Sequence, residues 1–148
     1  MYTLKKLPFS FYELEPFIDT HTIGLHYYKH QASYLTNLNK ILENYNLNYP
    51  IEDLYNHLDK IKEEDKNDVI FYLGGVTNHD LYWETINPNN KEKPKGKLLD
   101  AISKKYGSMD NFWNEFKNLI TNLKGSGYAF LIKDKNNNID LMTTSNYP

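Results

Sequence analysis

Five histidines hold most of the chemistry open to this sequence: His21, His26, His30, His57 and His79. His26, His30 and Tyr34 stand at i, i+4 and i+8, so on a helix they share one stripe. His79 lies on a second stripe of helical spacing, flanked by Tyr72 and Trp83. If those two helices pack antiparallel, a histidine from each meets the other in the core. Helical bundles build metal sites in that way, with ligands projecting inward from facing helices. Imidazole suits iron, manganese or zinc, and a nearby carboxylate tilts the choice towards non-haem iron or manganese. Spacing alone leaves a second reading open, because histidines four apart on an apolar stripe are more often packed or hydrogen-bonded than ligating. His21 and His57 read as surface or helix-end residues. The Tyr and Trp stripe reads most simply as core.

Composition narrows the chemistry further. The 148 residues contain no cysteine. Disulfides, thiol nucleophiles, thiolate metal sites and iron–sulfur clusters are therefore excluded, and any metal must be held by nitrogen and oxygen. Arginine is absent too, which removes bidentate guanidinium clamps for phosphates or bases. The net charge is -2 with both signs mixed along the chain. Neither a nucleic-acid patch nor an anionic-membrane patch stands out. No apolar run approaches the ~20 residues that cross a bilayer. Met1 to Phe9 has two lysines and no apolar core, unlike a secretory signal. The expected compartment is the cytoplasm.

The elements that must position these residues can be read from periodicity. Residues 1–19 read as an extended lead-in, with Phe9, Phe11, Tyr12 and Phe17 able to pack on the elements after it. Asp19 or Thr20 is the expected N-cap of a helix over 21–45, whose stripe is Ile23, Tyr27, His30, Tyr34, Leu38 and Ile41. A shorter helix over 51–61 and a charged link over 62–66 precede a long helix over 67–86. The stripe of that helix is Tyr72, Val76, His79, Trp83 and Ile86. Gly74 and Gly75 in its middle cost about 2 kcal/mol against two alanines, which argues for a close approach by another group. A helix over 97–106 ends at Gly107, and Ser108 caps another through 123 that buries Phe112, Phe116, Leu119 and Ile120. Strands over 128–132 and 139–144, joined by an Asp-Lys-Asn-Asn-Asn turn, form an antiparallel hairpin. Helices first and strands last make the class α+β. A lone hairpin is marginal in water, so a third strand is expected from beyond these residues.

Several separate motifs, in one order along essentially the whole chain, resemble the iron/manganese superoxide dismutase family. They are Leu7-Pro8-Phe9 through Leu14-Glu15-Pro16, His26-Tyr27-Tyr28-Lys29-His30, Tyr34 through Asn39, and Asn78-His79-Asp80-Leu81-Tyr82-Trp83. Gly107-Ser108 through Phe112, Gly125-Ser126-Gly127-Tyr128 and Thr144-Ser145-Asn146 complete the set. The resemblance implies an N-terminal antiparallel helical hairpin over residues 1–90. A partial C-terminal α/β domain comes next over 91–148, with a helical segment and an antiparallel β-hairpin, as an incomplete form of that fold. It implies disproportionation of superoxide to oxygen and hydrogen peroxide at a single iron or manganese ion that alternates between +3 and +2. His26 and His79 are its implied metal ligands. His30 and Tyr34 are its implied catalytic residues, lining the approach of superoxide and helping deliver protons. Trp83 would pack the apolar shell of the metal.

The match is incomplete. The family holds its metal with three histidines and one aspartate, the last two from a D-x-W-E-H segment, and no Asp or His follows Asp140 here. The resemblance therefore implies a C-terminally truncated member, impaired in this form. The family also sets a glutamine against the metal-bound solvent from one of two places, which here are Gly75 and Tyr147. Gly75 leans towards manganese, while Tyr147 withholds the usual confirmation. The expected partners are superoxide and either a second copy of the chain or a separate C-terminal fragment, with no nucleic acid and no membrane. A competing reading is a non-catalytic interaction protein that binds a partner along its open strand edge. A weaker one is a zinc or nickel site on the two histidines.

Overall fold

The computed structural model describes residues 1–89 and 92–146, so Tyr147 lies outside the described residues. The chain divides into two compact units, Met1–Asn90 and Lys91–Asn146.

In the first unit one continuous helical rod is built from three pieces. They are α1 (Thr20–Leu25), a π-helical turn (His26–Gln31) and α2 (Ala32–Leu42). Asp19 caps the rod, its carboxylate accepting from the Thr22 backbone N–H at 2.8 Å. A 3-10 segment, Ile51–Lys60, kinks at His57. It leads into α3 (Glu63–Thr85). The charged run after Lys62 is therefore not a link. Glu63, Glu64 and Asp65 form the first turn of α3, where the unpaired N–H groups favour acidic side chains. Tyr45, just past α2, donates its hydroxyl to Asp65 at the start of α3, while His26 meets His79 near its far end. The two helices thus run antiparallel. Leu35, Leu38 and Leu42 pack on Val69, Leu73 and Val76, with Leu54 and Ile61 in the same core.

The buried stripe of the rod differs from the expected one in an orderly way. Ile23, Tyr27, Gln31, Leu35, Leu38 and Leu42 are buried, whereas His30 is exposed and Tyr34 and Ile41 are half-buried. From the π turn onward three of the four inward positions lie one residue later than an α-helix predicts. Residues repeating every four drift about 40° per step in an α-helix. The turn closes i→i+5 bonds and takes up that drift. Residues 10–18 also depart from the extended lead-in. They form a chain of tight turns, with Glu13 N–H donating to Ser10 O, Glu15 to Tyr12 O and Phe17 to Leu14 O. Phe11, Leu14 and Ile18 pack inward there, while Tyr12 and Phe17 point to solvent at 68 % and 91 % exposure.

The second unit contains α4 (Gly96–Tyr106), α5 (Met109–Asn122), β1 (Gly127–Lys133) and β2 (Ile139–Ser145). Gly107 turns the chain at φ 79°, a conformation that glycine adopts without a Cβ clash. Ser108 accepts from Asn111 N–H at 3.1 Å as the cap of α5. The strands pair antiparallel with Phe130 opposite Met142. Asp134 nucleates their turn by accepting from the N–H groups of Asn136 and Asn138, each at 2.8 Å. Ile102, Tyr106, Phe112 and Ile139 form the core of this unit. Of the four α5 residues expected to be buried, only Phe112 is. Phe116 and Leu119 are half-buried and Ile120 is exposed. Among the described residues the sheet has two strands, too narrow a face to cover the whole stripe.

Candidate metal centre

The rod and α3 bring His26, His30 and His79 together. One ring nitrogen from each lies within 4.8 Å of the others, and among the described residues this is the only cluster of three or more metal-binding side chains. His79 is buried at 1 % exposure. Its Nδ1 lies 2.5 Å from Gly75 O, one turn back on α3. A carbonyl only accepts, so Nδ1 carries the proton, and the Nε2 lone pair of the neutral ring faces outward. That Nε2 lies 3.0 Å from His26 Nε2. The arrangement fits a metal ion. Two imidazole nitrogens about 2.1 Å from one ion and at right angles to one another lie about 3.0 Å apart. The backbone bond to Nδ1 is the usual device for orienting a ligating histidine.

Aromatic rings wall the cluster. Trp83 packs edge-on against His26 with ring centroids 4.8 Å apart, and Phe9 packs edge-on against the indole at 6.2 Å. Tyr34 stacks beside His79 at 5.8 Å and touches His30 at 5.1 Å. Gly75 makes room for it. A Cβ there would lie 2.4 Å from Tyr34 Cγ, so the close approach expected at the glycine pair is the Tyr34 ring. His21 is exposed, and His57 stacks on Tyr49 at 3.6 Å.

Two residues at the centre, Gln31 and Asp80, were not singled out by the sequence as site residues. Gln31 is fully buried. Its Oε1 accepts from Trp83 Nε1–H and its Nε2 donates to Asp80 Oδ1, both at 2.7 Å. The signal in the sequence was a polar residue in the four-spaced series Ile23, Tyr27, Gln31, Leu35, which reads as core only once the π turn is known.

Burial sets the electrostatics. It pushes His79 down to about 4, and the neighbouring His26 and His30 add to the shift while the Gly75 carbonyl opposes it. His26 is lowered too, by burial and then by His30. Burial raises the Asp80 carboxyl, with Gln31 and Lys5 opposing. Both imidazoles are thus neutral near pH 7, the form that binds metal.

The metal-free chain is accordingly expected to lose stability in acid. Above the ordinary histidine value of about 6.5 His79 is neutral folded or unfolded, so its contribution is fully present. As pH falls from there towards about 4, the unfolded chain takes up a proton that the folded chain refuses. The expected loss is about 3 kcal/mol, complete below the folded value. Urea midpoints in chelator at pH 7.5 and 4.5 measure it, and equal midpoints would refute it.

Residues 1–87 match the family model for iron/manganese superoxide dismutases, alpha-hairpin domain, and residues 94–148 match the C-terminal domain of the same family. A protein named superoxide dismutase [Mn/Fe] 2 from Staphylococcus aureus strain bovine RF122 / ET3-1 is 38 % identical over 146 residues, covering 98 % of this chain and 72 % of the relative. Its namesake from strain Mu50 / ATCC 700699 is 37 % identical over the same span. No helix of the described residues is long and apolar enough to cross a membrane. With both family domains matched in order over an α+β chain, this protein belongs to the iron/manganese superoxide dismutases, enzymes that use an iron or manganese ion.

Proposed function

We propose that the chain disproportionates superoxide at one iron or manganese ion, with His26 and His79 as ligands and His30 and Tyr34 as the catalytic residues beside them. The observation that carries this reading is the pair of Nε2 atoms 3.0 Å apart at the end of a backbone-locked, buried imidazole. The ion, when bound, supplies one-electron chemistry, accepting an electron from one superoxide and returning it to the next. The residues do the rest. Gly75 O and Trp83 hold His79 and His26 in place and keep water from their inner side. His30 is exposed and Tyr34 half-buried, so both sit where a small anion enters. Reduction to hydrogen peroxide consumes two protons. The Tyr34 hydroxyl and the His30 ring are the groups placed to pass them inward.

Among the described residues the donors here are imidazoles, with no carboxylate in the cluster. Iron and manganese stand low in the Irving–Williams order, so these donors alone hold them weakly. The 148-residue chain should retain little metal through desalting. With excess manganese it should consume superoxide faster than the free ion, with one peroxide formed per two superoxides. Metal analysis with a superoxide-consumption assay tests both points. A rate no higher than that of free manganese would overturn the dismutase assignment. Stoichiometric metal after desalting, with robust turnover, would overturn the impairment.

A further inference from the structure

We infer that Gln31 is a positioning residue for the metal centre, acting through Trp83. The inference rests on the assignment of His26 and His79 as ligands.

Gln31 lies on the helix that carries His26, five residues further on. An α-helix would turn it about 140° away from His26. The π turn brings it back towards the face that meets α3. There its amide spans two groups one turn apart on α3, accepting from Trp83 Nε1–H and donating to Asp80 Oδ1 at 2.7 Å each. An indole has a single donor and a carboxylate only accepts. The amide can satisfy both in one orientation only, so its rotamer is fixed from two sides. Trp83 in turn rests edge-on against the His26 ring.

The consequence is directional. Asp80 anchors Gln31, Gln31 fixes the indole, and the indole limits how far His26 can swing from His79. His79 has its own anchor in Gly75 O, whereas the inner side of His26 is held by packing on Trp83. Loss of the amide should therefore loosen the His26 side of the pair. Outer partners of metal-ligating histidines typically alter affinity by roughly 10- to 100-fold.

The test is cobalt or manganese affinity of the full 148-residue chain for four variants. Gln31→Met keeps the volume and removes both hydrogen bonds, and affinity should fall roughly tenfold. Gln31→Glu sets two carboxylates together and should do the same. Adding Asp80→Asn to Gln31→Glu rebuilds both bonds at constant net charge, with donor and acceptor exchanged between residues 31 and 80 and Trp83 still donating, and affinity should return to within about threefold of the parent. Circular dichroism establishes that each variant is folded, and His79→Ala serves as the reference. Affinity unchanged in folded Gln31→Met, or no rescue in the exchanged pair, overturns the positioning role. If His79→Ala also leaves affinity unchanged, the ligand assignment itself has failed. If Gln31→Met does not fold, the exchanged pair alone decides, by matching the parent or falling with Gln31→Glu.

Discussion

Replacing Trp83 by alanine is expected to remove about 5 kcal/mol of folding stability, a large part of what a domain of this size possesses. Trp83 is buried at 2 % exposure, in a core with Leu14, Ile23 and Tyr27. Truncating a buried tryptophan costs about 3–5 kcal/mol in lost burial and residual cavity. A second cost of about 1–3 kcal/mol arises because Gln31 Oε1 is left buried without its donor. The two are not strictly additive, since the amide can relax into the cavity. Trp83→Phe divides them in part. It keeps an aromatic ring against Phe9 and His26 but removes the N–H and some of the indole's volume, so about 1–3 kcal/mol for the lost hydrogen bond plus a smaller cavity cost is expected. Urea unfolding monitored by circular dichroism in chelator measures both. An alanine variant within about 1 kcal/mol of the parent would mean that the lead-in and the helices close over the gap.

Substituting His79 should lower affinity for manganese or cobalt by more than ~100-fold, beyond the range seen when only an outer partner is lost. His79→Ala deletes a donor and strips Gly75 O of a side-chain partner. His79→Gln retains an amide able to reach that carbonyl, so it tells ligand loss from damage to α3. Exposed His21 and Tyr49-stacked His57 are the internal controls, and their alanine variants should bind as the parent does. Calorimetric titration is the measurement. Parental affinity in both His79 variants would remove the centre from this residue altogether.

Much of this was legible from residue order. The two histidine-bearing helices, the Asp19 and Ser108 caps, the Gly107 turn and the Asp134 hairpin each rest on local chemistry that a few neighbouring residues specify. The glycine pair announced a close approach, although not that its partner would be Tyr34. What escaped depended on context. The inward face after Tyr27 was displaced because a single wide turn is invisible to a fixed helical period. The start of α3 was hidden because a cluster of like charges reads as a solvated link unless its place at a helix end is known. Gln31 and Asp80 escaped because their role is a pairing across 49 residues, and nothing local to either names the other.

The π turn also determines which kinds of inherited change the site can absorb. Ile23, Tyr27, Gln31 and Leu35 face one way because of how many residues separate them, and much less because of what the residues between them are. Exposed Lys29 can exchange freely, whereas Tyr28, though exposed, packs on Phe11 and Tyr27. Losing one residue from within the turn would let it close as an ordinary α turn with Leu35 and Leu38 still on α3, whereas a loss from the α-helical part of the rod would swing everything beyond it by about 100°. In a lineage that keeps this centre, the exposed positions of the rod should accept substitutions readily, and alignment gaps within it should fall at the turn.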